Sequence, residues 1–442
     1  MPHEWRALVS PAFRWPYHRD TTHDVGVLYP WQTSANLGVR GPCLGVDWGS
    51  DSMWCYDAFE LYTQGLLTNA NMIVAGEPGC GKSAFVKTYL WRSLALYGSG
   101  GTRRWAAIVD PKREYVALGE KLGMSILELY PGGPNRLNPL DAGPGMAGAN
   151  GTALEREDLV RRRTELVRAL LEVMLARPLN QVEEAALGWT LDLLSVPGAR
   201  PSLHDLFGAL GEPPDELRAH LEEAAGTVEF GFELRDVRLA LDRMLHRDLR
   251  GLFDAERSSP IDWGGKGIVV DLSQVFSNPT VLRLLMVGVT SWLTNLFAGR
   301  DRDDALRCYL VLDESWSIAG DLGVARFVQS VWRLCRDYGV SGIAMVHRVS
   351  DFGSQADDGT AASKIGQAIV SLSQTKVLFR TSRADVASTR AAVGLSDKEA
   401  ELVALLARGR ALWKVGDHSA VVQHKVAELE WSFARTDRRM VV

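Results

Sequence analysis

Cysteine is scarce and scattered: the 442 residues include five, Cys43, Cys55, Cys80, Cys308 and Cys335, and none forms a C-x-x-C pair. That spacing excludes a disulfide scaffold and a cysteine zinc site, and it reads as reduced thiols of a cytosolic protein. An excess of one charge is missing as well. Lys and Arg number 49 against 54 Asp and Glu, a net charge of −5 with a pI of about 6.0. No global basic field advertises nucleic acid, which leaves only local grooves open. Nowhere does an uninterrupted apolar run reach the roughly 20 residues of a membrane span. The nearest approach, 281–299, carries Arg283, Ser291, Thr294 and Asn295 and reads as a buried core helix. The N-terminus is broken by Pro, Arg and His, so no secretory signal is expected. The chain is thus expected in the cytoplasm with no transmembrane segment of its own, any attachment to the inner face of the membrane coming through partners. Repeats and low-complexity tracts are also absent.

What is present is ordinary globular material, 46% hydrophobic, enough for two or three domains. Residues 1–60, with Trp5, Trp15 and Trp31, lack a regular period and read as an irregular Trp/Pro-rich lead-in. From Asn71 short apolar runs alternate with helical stretches: MIVA, WAAIVD at 105–110, MSILEL at 124–129, KGIVVDL at 266–272, CYLVLDE at 308–314, VSGIAMV at 340–346 and TKVLF at 375–379. Runs of this kind predict an α/β fold with a mainly parallel central sheet covered on both faces. RALWKV at 410–415 and AVVQHKV at 420–426, parted by GDHS, predict a C-terminal β-hairpin. Between 151 and 250 the strand signal stops. Leu159, Leu166, Leu170 and Val173 recur at helical spacing until Pro178, and further helices are expected at 182–195, 203–210, 214–225 and 234–247. This predicts an all-helical subdomain inserted, through the linker at 143–151, into a core of 61–150 and 251–442.

One stretch carries chemistry in its spacing. NMIVAGEPGCGKSAF fits G-x-x-x-x-G-K-[ST], with an apolar strand before it and a helix after it. Glycines let backbone N–H groups turn inward around phosphate oxygens, and the helix that follows adds its positive end. Gly76, Glu77, Pro78, Gly79, Cys80, Gly81, Lys82, Ser83 and Ala84 therefore form the candidate nucleotide loop. Lys82 is placed to pair with the β and γ phosphates and Ser83 to ligate Mg²⁺. Cys80 reads as a small filler rather than a redox group.

Hydrolysis needs carboxylates too, and CYLVLDESWS supplies two at a strand end. Asp313 suits the metal beside Ser83, and Glu314 suits the polarisation of an attacking water. After the next strand comes His347, where ligands gather in parallel sheets, as a sensor of the γ phosphate or a residue supporting the site. Arg333 and Arg336, in WRLCRDYGV, precede that strand. An arginine supplied across a subunit border raises phosphoryl-transfer rates by roughly 10³ to 10⁵.

Taken in order, these motifs resemble the FtsK/HerA superfamily, and most closely the VirB-type ATPases of conjugative type IV secretion. IVDPKREY at 108–115, RLNPLD at 136–141, LFDAERSSPID with GIVVDLSQV, VLDESWS, RDYGVSGIAMVHR and GLSDKEAELVALLARGRALWKV carry the resemblance from about Leu44 to Glu430. It implies a RecA-like P-loop NTPase core in a hexamer, with ATP and Mg²⁺ at subunit borders. It further implies Lys82 and Ser83 as phosphate and metal ligands, Asp313 and Glu314 as metal-orienting and catalytic carboxylates, and Arg336 as the trans-acting arginine. Asp110 and Glu114 match its signature acids, Asp110 supporting the site from near the phosphates. Two departures stand out: His347 occupies a position where the family usually has Gln, and the large N-terminal docking domain of many members is not seen ahead of the motor. The implied function is an ATP-driven motor for translocating protein or DNA, or for assembling the channel, with conjugation subunits as partners. A DNA translocase acting directly on its substrate and a nucleotide-gated scaffold are the competing readings; the paired carboxylates argue against the scaffold.

Overall fold

The computed structural model describes residues 37–98, 103–141, 153–196, 198–225, 230–258, 260–300, 305–313, 329–349 and 369–435. Trp5, Trp15, Trp31, Glu314 and the linker at 143–151 lie outside them. Seven strands run parallel in the order β9-β3-β8-β7-β4-β6-β5. They are β3 (Met72–Ala75), β4 (Arg104–Asp110), β5 (Ser125–Glu128), β6 (Gly267–Asp271), β7 (Arg307–Leu312), β8 (Val340–Val346) and β9 (Thr375–Leu378). Every residue of β3, β4, β6 and β8 is buried, as strands covered on both faces must be.

Period-2 alternation sorts those residues into two cores. Val74, Ala106, Ile108, Val269, Val311 and Ile343 face one side, against α2 (Lys82–Leu96). Ile73, Ala107, Val109, Val270, Leu310 and Leu312 face the other, against α10 (Pro279–Ala298). Helix α10 has the length and composition to cross a membrane, yet 89% of its apolar window is buried inside the protein. Asn278 caps it through the Val281 N–H, and Pro279 stands in its first turn, where no backbone donor is missed.

Among the described residues between β5 and β6 lie six helices: α4 (Ala153–Leu175), α5 (Gln181–Leu194), α6 (Leu203–Gly211), α7 (Asp215–Ala225), α8 (Phe230–Glu233) and α9 (Arg235–His246). Capping boxes at Asn180 and Ser202 set the starts of α5 and α6. Leu166, Leu170 and Val173 of α4 join the same apolar cluster as the sheet face beneath α10, so these helices share a core with the sheet.

The hairpin is part of the sheet itself. β10 (Arg410–Val415) and β11 (His418–His424) meet through Gly416 and Asp417, and β10 pairs antiparallel with β9. β11 in turn pairs with β1 (Cys43–Asp47), and β1 with β2 (Met53–Cys55), which gives eleven strands among the described residues. Within the stretch read as an irregular lead-in, Cys43–Asp47 and Met53–Cys55 thus form the sheet's antiparallel edge. Trp413 fixes it there, edge-on to Trp54, Tyr56 and Phe85.

Candidate nucleotide site

Register decides which strand ends meet. Ala75 stands opposite Val346 and Leu378, while Leu312 stands opposite Val109 and Ala344. Gly76, His347, Asp313 and Asp110 therefore leave the sheet along one carboxyl-terminal edge, where ligands of open α/β sheets collect.

The loop at that edge is built by close approach. Gly76 has φ +146°, and a Cβ there would stand 2.6 Å from Phe379 Cβ, so a side chain would collide with the end of β9. Glu77 N–H donates to Arg380 O at 2.8 Å, and Arg380 Nε donates to the Glu77 carboxylate at 3.1 Å. Gly81, at φ +111°, turns the chain into α2. Lys82 Nζ donates back to Gly76 O at 2.5 Å and Glu77 O at 3.0 Å, and lies 3.4 Å from His347 Nδ1.

Pro78, Gly79, Gly81, Lys82, Ser83 and Ala84 line a cavity of about 800 Å³ whose opposite walls include Lys112, Glu114, Asp313 and His347. The structure thus brings Lys82, Ser83, Asp313 and His347 around one space. Gly76, Glu77 and Cys80 shape the loop from behind: Cys80 is buried and its carbonyl accepts from Gly409 N–H at 2.9 Å. Asp110 is fully buried and is not among the residues lining the cavity. Its carboxylate accepts from the backbone N–H groups of Lys112, Glu114 and Tyr115 at 3.2, 2.9 and 2.7 Å, and so holds the turn that presents Lys112 and Glu114 ahead of α3 (Val116–Leu122). Burial raises the Asp110 carboxyl to about 6 against the pull of those N–H groups.

A second lysine was missed in the sequence. Lys87, one turn into α2, has a wholly buried side chain, 3.6 Å from Glu114 Oε2 and 5.2 Å from the Tyr115 ring centre. Burial lowers its pKa, while Glu114, Asp110 and Asp313 pull it upward. Lys87 is the counter-charge beneath a group of acids. Removing one partner of a buried pair costs about 3 to 5 kcal/mol, and the low end applies because Glu114 keeps some contact with the cavity. Lys87→Met is expected to cost about 3 kcal/mol in chemical denaturation, and Lys87→Met with Glu114→Gln to recover part of it.

Nor did local sequence mark the far wall of the cavity, which comes from the C-terminal segment: Gln423, His424, Lys425, Val426, Trp431, Ala434 and Arg435. Arg92 of α2 holds that segment, donating to both Glu430 carboxylate oxygens at 2.7 and 2.6 Å, to Lys425 O at 2.7 Å and to Cys43 O at 2.6 Å. His424 Nε2 lies 2.6 Å from Thr88 Oγ1, with its ring edge-on to Phe85. Burial, reinforced by Arg92, depresses its pKa from 6.5 to about 3. The folded chain therefore refuses a proton that the unfolded chain accepts, so this stability is complete above pH 6.5 and drains as pH falls toward 3. Between pH 6.5 and 5 the loss is about 2 kcal/mol, at about 1.4 kcal/mol per pH unit. Denaturation midpoints at the two pH values should fall less in His424→Gln than in the parent chain.

Arg336 stands apart from this cavity. It is exposed, four residues ahead of β8, and so lies at the amino-terminal rim of the parallel strands. The seven residues of β8 separate it from His347, about 20 Å at the usual rise per residue. Its guanidinium sits 5.9 Å from the ring centre of Tyr62, in α1 (Ala58–Thr63). Arg333 is exposed on the same rim.

No family model and no curated protein matches the sequence. Solved structures do: VirB4 of Thermoanaerobacter pseudethanolicus superposes with a TM-score of 0.69 at 23% identity, over 90% of this chain and 100% of that one. The fold is that of VirB4. The plasmid coupling protein TrwB, in complex with an ATP analogue, aligns with a TM-score of 0.54 at 18% identity, over 88% of this chain and 91% of TrwB. TrwB with ADP and Mg²⁺ gives 0.53 at 16% over the same shares. The likeness is one of architecture, and it bears out the expected α/β fold with its mainly parallel sheet. In this VirB4 fold the loop after β3, the end of β7 and the tip of β8 converge on the cavity just described.

Proposed function

We propose that this chain is a Mg²⁺-dependent ATPase that powers a conjugative transfer or type IV secretion apparatus, moving substrate or assembling the channel. The carrying observation is the convergence of Lys82, Ser83 and Asp313 on one cavity, in the fold of VirB4 and TrwB. ATP with Mg²⁺ fits the residues present. Gly79 and Gly81, both at positive φ, turn the loop along the cavity wall, an ammonium folded back onto its own loop stands ready to turn outward, and a hydroxyl and a carboxylate share the wall. When bound, the nucleotide supplies the phosphoanhydride and the cation neutralises its charge. Lys82 pairs with the phosphates, Ser83 and Asp313 hold the cation, His347 reports on the phosphate end through Lys82, and Glu314 orients water. The working form is a hexamer, attached at the membrane through conjugation or channel subunits.

Turnover of ATP by the purified chain, measured with and without Mg²⁺, tests this. Glu314→Gln is expected to bind nucleotide normally and to lose turnover by at least about 10²-fold. No turnover in the parent chain would favour a nucleotide-gated scaffold. Strong stimulation by DNA that falls steeply with salt would favour a translocase acting directly on DNA.

A further inference from the structure

Two cysteines separated along the chain meet across the sheet edge. Cys43 of β1 stands directly opposite Cys55 of β2 in an antiparallel ladder, whose register shifts between Cys43 and Gly45. Tyr56 N–H donates to Pro42 O at 3.2 Å, and these residues flank the pair, so Cys43 and Cys55 form a non-hydrogen-bonded pair. Cα atoms in such a pair lie about 4.5 Å apart with both side chains on one face. Disulfides require roughly 4.4 to 6.8 Å. Both thiols are free, Cys43 exposed and Cys55 buried. Burial raises the Cys55 thiol, and the neighbouring Cys43 sulfur, within its hydrogen-bonding reach, raises it further. Cys80, Cys308 and Cys335 are buried in the body of the protein.

We propose that Cys43 and Cys55 are a reversible disulfide site that reacts with low-molecular-weight disulfides. Cys43, being exposed, loses its proton and its thiolate attacks one sulfur of the small disulfide. A mixed disulfide forms and one small thiolate leaves. Cys55 then loses its proton and attacks Cys43 Sγ, which forms the Cys43–Cys55 bond and expels the second small thiolate. The protein gives up two electrons and two protons, and the small disulfide is reduced to two thiols. Because the resolving thiol already faces its target, the second step is intramolecular and fast.

The site is linked to the phosphate-binding helix: Cys43 O is one of the groups that Arg92 holds, and Arg92 belongs to the helix that begins at Lys82. The bond therefore ties β2 covalently to a strand anchored on the phosphate-binding helix. Its formation is independent of whether the chain hydrolyses ATP.

The native full chain is incubated with millimolar glutathione disulfide, alkylated and digested without reduction, and its peptides are mapped by mass. The expected product is a Cys43–Cys55 linked peptide, lighter by two hydrogen atoms and reversed by dithiothreitol. Cys55→Ser is expected to stop at a glutathione adduct on Cys43 that persists at least about tenfold longer than the adduct of the parent chain. Cys43→Ser should form neither. Where a variant does not fold, alkylating Cys43 in the native parent chain before oxidation stands in for Cys43→Ser, and neither the adduct nor the link should then form. An adduct that stays on Cys43 in the parent chain, a native chain that does not react, or a link formed only in denaturant would each overturn the proposal.

Discussion

Lys82→Ala is expected to lower ATP turnover by on the order of 10²- to 10³-fold, the loss typical when one preorganised donor is removed from the developing charge of a transition state. Lys82 is buried, and its ammonium rests on the carbonyls of Gly76 and Glu77, so it is held at the mouth of the loop with one short swing toward a phosphate. Alanine leaves the loop's backbone in place, because that is fixed by Glu77 N–H on Arg380 O and by Gly409 N–H on Cys80 O. The variant should therefore fold and still admit nucleotide, with weaker affinity, while kcat collapses. Binding of a fluorescent ATP analogue beside steady-state hydrolysis separates the two effects. Turnover near that of the parent chain, in a variant that binds ATP, would sink the assignment of this loop as the catalytic phosphate site.

The sheet was legible because each core strand is a short apolar run buried on both faces, and such runs stand out between helices. β8 falls on 340–346 to the residue, and β4, β6 and β9 within a residue or two of the run that marked them. The loop was legible because its glycines are required by backbone geometry, as Gly76 against Phe379 makes plain. What stayed hidden was set by long-range pairing. Nothing local to GDHS says that β11 continues into a ladder with β1, or that the residues beyond it close the cavity. Lys87 is hidden for a related reason: along α2 it reads as one more polar helical residue, and only the DPKREY turn folding above it turns it into a buried counter-charge. Cys43 and Cys55 likewise carry no spacing motif, since cross-strand register alone makes them neighbours.

Arg336→Ala is expected to cut turnover by roughly 10³- to 10⁵-fold while leaving nucleotide binding intact, if the arginine acts across a subunit border. Position makes that the only way it can act on a phosphate. It lies at the amino-terminal rim of the strands, exposed beside Tyr62, while the phosphate loop lies at the carboxyl-terminal edge. A guanidinium about 20 Å from its own cavity is useless there. In a ring, however, one subunit's amino-terminal rim can face the next subunit's cavity, and a charge brought in that way stabilises the transferring phosphoryl group. Mixing separates this role from a structural one. Arg336→Ala chains have an intact Lys82, and Lys82→Ala chains have an intact Arg336, so each is inactive alone. Assembled together with nucleotide, some borders pair a sound loop with a sound arginine, and part of the turnover should return. A fold defect in Arg336→Ala, or an arginine working within its own chain, leaves the mixture as inactive as its components.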